Sequence, residues 1–167
     1  MVAALTGHRP HKFNNDYDLV SPLILRIKEL LIRVIRRQGV HMGITGMALG
    51  MDQLWAYACI ECHVPFIAAI PCSDQPNMWP KKSQGKYYRL LDQAAEVVNV
   101  SGKVKYQPEY MQERNIWMVD KVKLEQGKMI CVWDGTKGGT ANCTAYAIRT
   151  LGKQNIIRIN PATVQVP

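Results

Sequence analysis

Residues 129–151 read MICVWDGTKGGTANCTAYAIRTL and form a conspicuous strand–turn–helix unit. The apolar run Met129–Trp133 is typical of a buried strand. Three glycines follow between residues 134 and 139, and a helix is predicted from Thr140 to Leu151, where Gly152 ends it. A buried strand joined to a helix by a short glycine turn is the repeating unit of a parallel α/β sheet.

Outward from this unit, strand-length apolar runs alternate with helical segments along the whole chain. The first helix has Ser21 as a possible N-cap, Pro22 at its first position and Gly39 at its end. Strands are predicted at residues 2–5, 42–45, 65–70, 97–100 and 156–159, and helices at 22–38, 51–63, 81–94 and 108–126. This alternation predicts a Rossmann-like, doubly wound and mostly parallel sheet in a three-layer α/β/α arrangement, with residues 1–167 as a single domain.

The charge and cysteine content limit the classes of partner. Twenty-one basic and 13 acidic residues give a formal charge of +8, which favours an anionic partner. No apolar run approaches the ~20 residues of a membrane span, and no export signal is recognisable. An odd count of five cysteines then favours reduced thiols. We therefore expect a cytoplasmic protein without a membrane partner.

A possible metal or haem motif occurs at Cys59-Ile60-Glu61-Cys62-His63. The string matches c-type haem attachment and offers three zinc ligands. It lies near the end of a helix whose apolar stripe includes Cys62, and no second pair of this spacing exists. We therefore expect core thiols, no metal site and no cofactor.

In an open α/β sheet, ligands bind at the carboxyl ends of the strands, so the loops that follow the strands carry the functional signal. The first such loop is Thr6-Gly7-His8-Arg9-Pro10. Gly7 lets the backbone approach a ligand, His8 can hydrogen-bond a ribose or phosphate, and Arg9 can bind a phosphate through two hydrogen bonds. The alternative is a tight turn with a solvated arginine.

The second loop runs from Gly46 through Met47 and Gly50 to Asp52. Glycines at a strand-to-helix junction expose backbone N–H groups that can bind an anion. The spacing is neither the usual dinucleotide fingerprint nor a P-loop. Asp52 can hold a ribose hydroxyl, or it can simply favour the positive end of its own helix.

The third loop, residues 71–80, is long for a strand-to-helix connection, and such loops are often functional. Gln75 offers an amide donor and acceptor, and Trp79 can either stack on a base or pack over the edge of the core.

The fourth loop is the glycine turn of the opening unit, and it carries the strongest signal. Its bare N–H groups and threonine hydroxyls make a suitable phosphate cradle at the start of a helix. The candidate binding residues in it are Asp134, Gly135, Thr136, Gly138, Gly139 and Thr140.

Taken together, these loops resemble the SLOG superfamily and, within it, the YpsA-like group. The matching features, in order, are Thr6–Pro10, Gly46–Asp52, Gln75–Trp79, Arg114-Asn115 and Asp134–Thr140. The resemblance implies a Rossmann-like fold whose glycine-rich loops bind nucleotides or nucleotide sugars. More distant relatives include the LOG phosphoribohydrolases and the DNA-processing protein DprA.

The sequence departs from the LOG pattern at one decisive place. In LOG-type enzymes the glycine motif is followed closely by a catalytic glutamate, whereas Ala141, Asn142 and Cys143 follow Thr140 here. N-glycosidic hydrolysis needs such a carboxylate. We therefore expect a protein that sequesters or senses a nucleotide-derived small molecule, either ADP-ribose- or NAD-like or a cyclic nucleotide, without turnover.

Two other functions stay open at this point. One is an N-glycosidase or phosphoribohydrolase-like enzyme, with His8, Asp52 and Asp134 as acid–base candidates. The other is DprA-like binding of single-stranded DNA, which the basic charge supports. A homo-oligomer is also expected, because Trp55, Trp117 and Tyr146 can serve an interface, although each can equally lie in the core.

Overall fold

The computed structural model describes residues 1–166. Its strands are β1 (Val2–Gly7), β2 (Met42–Thr45), β3 (Phe66–Ile70), β4 (Glu96–Asn99), β5 (Lys128–Val132) and β6 (Ile156–Ile159). Its helices are α1 (Pro22–Gln38), α2 (Met51–Glu61), α3 (Lys81–Leu91), α4 (Pro108–Leu124) and α5 (Gly139–Leu151). Each predicted strand and helix is confirmed, with shifts of a few residues at the ends.

The six strands form one sheet in the order β4-β3-β2-β1-β5-β6, and every neighbouring pair is parallel. The chain builds outward from β1 to β4 and then crosses back to place β5 on the other side of β1. The direction of winding therefore reverses between β1 and β5, where Gly7 lies opposite Val132. Such a switch point leaves a crevice at the carboxyl ends of the two strands.

Two hydrophobic clusters cover the two faces of the sheet. Along β1, Ala3 and Leu5 point into the cluster beneath α1, α2 and α3, while Val2 and Ala4 point into the cluster beneath α4 and α5. Residues 2–5 of this strand are all apolar because both of its faces are buried. The three-layer arrangement predicted from the sequence is confirmed.

The aromatic residues suggested for an oligomer interface have different positions. Trp55 is fully buried in the core between α2 and the sheet, so the interface alternative is wrong for this residue. Trp117 and Tyr146 are half-buried against the second cluster. The expected homo-oligomer stays a prediction.

The start of α1 differs from the sequence-based expectation. Ser21 occupies the N-cap position, but its side chain makes no capping hydrogen bond. Asp16 instead accepts hydrogen bonds from the backbone amides of Asp18, Leu19, Val20 and Ser21. The carboxylate organises the whole approach to the helix, which a pattern search for an adjacent cap does not detect.

Two further findings concern the alternatives weighed above. No helix within residues 1–166 is both long and apolar enough to cross a membrane. In the Cys59–His63 string, Cys59 is buried, Cys62 is half-buried and His63 is exposed. The same described residues contain no cluster of three possible metal ligands.

Candidate ligand-binding site at the sheet rim

A cavity of about 210 Å³ opens at the carboxyl ends of β1 and β5, where the winding of the sheet reverses. We call it the rim cavity. Its wall comes from the loop after β1, the turn before α5, the start of α2 and one face of α4. The lining residues are Thr6, Gly7, His8, Arg9, His11, Lys12, Ala48, Asp52, Met111, Arg114, Asn115, Thr136, Lys137, Gly138, Gly139 and Thr140.

The N-terminus of α5 forms one side of the rim cavity. Gly138, at the N-cap, has φ 142°, a conformation that L side chains rarely adopt, and the helix begins at Gly139. Asn142 is the first residue whose amide bonds back into the helix, to the carbonyl of Gly138. The preceding amides lack intrahelical partners, no side chain within residues 1–166 caps them, and no acidic residue occupies the first turn. These N–H groups and the helix dipole favour an anion at this position.

A buried ion pair forms the floor of the rim cavity. Arg114 of α4 is 3% exposed, and its Nη1 lies 3.3 Å from Oδ2 of Asp52, which also accepts a hydrogen bond from the amide of Ala48. Burial raises the pKa of the Asp52 carboxyl, and the charges of Arg114 and Arg9 oppose this rise. Nε of Arg114 has no hydrogen-bond partner within residues 1–166. A buried cation with an unused donor is costly unless an anion completes its coordination.

Gly46 is required for the placement of this arginine. A Cβ atom at position 46 would lie 1.3 Å from Nη1 of Arg114 and 2.8 Å from Oδ2 of Asp52. The guanidinium therefore occupies the space that any side chain at this position would need. Gly46 lies in the second glycine loop, but in the structure it makes room for a side chain and does not line the rim cavity.

Asp134 holds the two outer loops of the site together. Its Oδ1 accepts hydrogen bonds from the amide and hydroxyl of Thr136 and lies 2.8 Å from Nε2 of His8, and Lys12 contacts its Oδ2. The hydrogen bonds from Thr136, and then the close contact with His8, hold the pKa of this carboxyl well below its usual range. Asp134 is thus an ionised acceptor with its partners in place, and it does not line the rim cavity.

The rim cavity is strongly cationic. Arg9, Lys12, Arg114 and Lys137 contribute to its lining, against Asp52 as the carboxylate among the lining residues. Arg9, Lys12 and Lys137 are exposed at the mouth, whereas Arg114 is buried at the floor. The site therefore carries a buried positive charge at its floor and three exposed ones at its mouth.

The structure separates the residues predicted from the sequence into two groups. Those that line the rim cavity are Thr6, Gly7, His8, Arg9, Asp52, Arg114, Asn115, Thr136, Gly138, Gly139 and Thr140. Those that do not are Gly46, Met47, Gly50, Gln75, Trp79, Asp134 and Gly135. Met47 is fully buried, and a Cβ on Gly50 would lie 2.6 Å from the carbonyl oxygen of His8, so these two residues shape the loop from within.

Sequence reasoning missed several lining residues, namely His11, Lys12, Ala48, Met111 and Lys137. Lys137 lies inside the glycine turn before α5. A positive charge in a turn predicted to bind phosphate could have identified it as a lining residue. Lys12 follows Arg9 by one turn of a short 3₁₀-helix. Met111 had no signal, because only the packing of α4 across the sheet brings it to the rim.

The sheet, its switch point and the cationic rim define an α/β protein of the Rossmann-like class with a positively charged cavity at the carboxyl ends of its strands. Residues 3–165 match the YspA SLOG family, and the chain belongs to that family. The SPbeta prophage-derived protein YoqJ of Bacillus subtilis is 31% identical, over 84% of this chain and 91% of that protein.

Among solved structures, the chain is similar to DNA processing protein A from Helicobacter pylori. The TM-score is 0.63 at 15% identity, and the match covers 96% of this chain and 65% of that one. DprA from Streptococcus pneumoniae gives a TM-score of 0.48 at 10% identity, over 94% of this chain and 57% of that one. The chain thus spans two thirds or less of these proteins, and at such low identity the first likeness shows the fold alone.

Proposed function

We propose that the protein binds a nucleotide-derived small molecule, with its phosphate in the rim cavity, and sequesters or senses it without turnover. The observation that carries the proposal is the convergence of Arg9, Lys12, Arg114 and Lys137 with the N-terminus of α5 on one cavity at the sheet's switch point. ADP-ribose- or NAD-like molecules and cyclic nucleotides are the candidate ligands.

The donors are suited to a phosphate group. The amides at the start of α5 offer fixed N–H groups at the positive end of a helix. Arg114 adds a buried positive charge at the cavity floor, and the exposed Arg9 adds a guanidinium at its mouth. A phosphate offers several acceptor oxygens in different directions, so it can use all of these donors together.

The carboxylates support binding without turnover. Glycosidic hydrolysis needs a carboxyl group that activates water or protonates a leaving group. Asp134 is engaged by Thr136, His8 and Lys12, and Asp52 by Arg114 and the Ala48 amide. Loss of either carboxylate would break the contacts that hold the loops and Arg114 in place around the rim cavity. This favours a structural role for both carboxylates.

Titration calorimetry with ADP-ribose, NAD and cyclic nucleotides tests the proposal. We expect Arg9→Gln to weaken binding about 10- to 150-fold, the equivalent of a charged hydrogen bond worth ~1.5–3 kcal/mol. Arg36→Gln removes an exposed arginine on α1 that does not line the rim cavity and serves as the matched control. Equal affinity in wild type and Arg9→Gln contradicts the proposed site.

The absence of turnover needs a separate measurement. Bound ligand is released by heating after prolonged incubation and analysed by mass spectrometry. Intact ligand is expected. Steady product formation would contradict the proposal.

Binding of single-stranded DNA is a second candidate, favoured by the formal charge of +8 and by the cationic mouth of the rim cavity. The solved H. pylori relative is described as having a single-stranded DNA binding mode. Fluorescence anisotropy with a labelled oligonucleotide tests this function, with affinity expected to fall steeply with salt. A flat titration at low salt would exclude it.

A further inference from the structure

A second hollow, of about 440 Å³, adjoins the rim cavity. We call it the adjoining hollow. It is lined by Arg9, Asp74, Gln75, Asn77, Met78, Trp79, Tyr106 and Met111. Arg9 and Met111 belong to the walls of both spaces, so one ligand can extend from the rim cavity into the adjoining hollow.

The adjoining hollow has an aromatic and apolar wall that nothing within residues 1–166 covers. Met78 is 95% exposed and Tyr106 is 51% exposed, although both are large hydrophobic side chains. Trp79 is half-buried and is held by an edge-to-face contact with Tyr87 at 5.4 Å between ring centroids. Exposed apolar surface concentrated in a concave place is typical of a ligand site.

Backbone hydrogen bonds hold the two loops of this wall together. The amide of Ser73 donates to the carbonyl of Lys103 at 3.1 Å, and that of Asp74 donates to Val104 at 3.0 Å. The loop that carries Tyr106 is therefore tied to the loop that carries Trp79. This preorganisation lowers the entropic cost of binding a flat ring between them.

The Asp74 carboxylate gives the adjoining hollow a free acceptor that favours a ligand with N–H donors. Both ends of the Gln75 amide are occupied, since Nε2 donates to the carbonyl of Gly46 and Oε1 accepts from Tyr87. Within residues 1–166, the Asp74 carboxylate has only a weak thiol donor, Cys72, on Oδ1. An ionised carboxylate accepts hydrogen bonds and donates none.

Guanine has N1–H and N2–H donors side by side on one edge, which a carboxylate can accept in parallel. Adenine has a single amino donor beside the N1 acceptor, which the carboxylate would repel. We propose that the adjoining hollow holds the guanine ring of a guanosine phosphate, stacked against Trp79 and Tyr106 with its donor edge on Asp74. This inference rests on the proposed function, because the rim cavity must hold the phosphate. Among the candidate ligands it favours guanine nucleotides over ADP-ribose and NAD, which carry adenine.

Calorimetric titration of the full chain with GMP, AMP and ribose 5-phosphate tests the inference. Stacking on an aromatic side chain contributes ~1–3 kcal/mol per base, so GMP should bind about 5- to 150-fold more tightly than ribose 5-phosphate. It should also bind more tightly than AMP. Equal affinities of GMP and ribose 5-phosphate, or AMP binding as well as GMP, overturn the inference.

Variants assign the effect to the named residues. Tyr106→Ala should bring GMP closer to ribose 5-phosphate, while Tyr17→Ala, which removes a tyrosine 42% exposed outside both spaces, should not. Asp74→Asn should abolish the preference for GMP over AMP, and exposed Asp92→Asn should preserve it. Unchanged ratios in Tyr106→Ala and Asp74→Asn overturn the assignment.

The same titrations separate the inference from the proposed function. If ribose 5-phosphate binds and Arg9→Gln weakens this binding, the proposed phosphate site is supported regardless of which base is preferred. If none of the three probes binds but ADP-ribose, NAD or a cyclic nucleotide does, the inference fails and the proposed function stands. If none of these molecules binds, both fail.

Discussion

The substitution Gly46→Ala should destabilise the protein severely, because the space beside Gly46 is filled by the Arg114 guanidinium. The added Cβ would lie 1.3 Å from Nη1 and 2.2 Å from Cζ of Arg114. The arginine must therefore move away from Asp52, and both charges are buried, at 3% and 6% exposure. Breaking a buried ion pair costs about 3–5 kcal/mol, a large share of a typical domain's stability.

Urea unfolding followed by the fluorescence of the four tryptophans measures this loss. Gly85→Ala is the matched control: Gly85 lies within α3, and its nearest contact would be Arg89 Nη1 at 3.6 Å. The control should stabilise the protein by ~0.5–1 kcal/mol, because alanine favours the helix.

A double variant isolates the cause. When Gly46→Ala is added to Arg114→Ala, the further loss should fall below ~1 kcal/mol, because the guanidinium is no longer there to be displaced. A Gly46→Ala protein within ~1 kcal/mol of wild type would refute the argument. A full additional loss on the Arg114→Ala background would show that the glycine is needed for some other reason.

Three further predictions concern other parts of the molecule. Hydrogen bonds from Lys82 and Lys86 lower the pKa of Asp18 to about 2 from its usual 3.8. Above pH 3.8, wild type should therefore be more stable to urea than Asp18→Asn, and this advantage should disappear as the pH falls towards 2. Urea midpoints measured across this pH range test the prediction. Asp16→Ala should reduce the free energy of unfolding by ~0.5–2 kcal/mol in the same assay, since four backbone amides lose their acceptor, and an unchanged midpoint would contradict this. A thiol reagent should modify half-buried Cys62 first in the native protein and all five cysteines only after unfolding. Burial raises the pKa of the other four thiols: to about 11 for Cys72 and Cys131 and to about 12 for Cys143. The pKa of the Cys59 thiol is also raised by burial.

Local patterns predicted the fold because each element carries its own signal. The apolar runs of β1 and β5 are unbroken because both faces of a parallel sheet are covered, and such runs are visible without the structure. Pro22 and Gly39 marked the ends of α1, and Gly39 has the left-handed conformation, φ 59°, that its position predicts. The glycine turn before α5 was also predictable from the sequence, because Gly138 adopts a φ that residues with an L side chain rarely adopt.

The roles within the site depended on contacts between residues far apart in the sequence. Asp52 and Arg114 are 62 positions apart, and His8 and Asp134 are 126 apart, so no spacing rule connects them. Gly46 was predicted to offer a backbone N–H group to the ligand. In the structure its lack of a side chain instead leaves room for the guanidinium of Arg114. Sequence by itself determined which loops reach the rim, because strand polarity fixes where each loop emerges. Only the tertiary structure decided which side chains of these loops line the rim cavity and which lie behind its wall. The reason is that each side chain's position depends on the space and the charges that other helices and strands place around it.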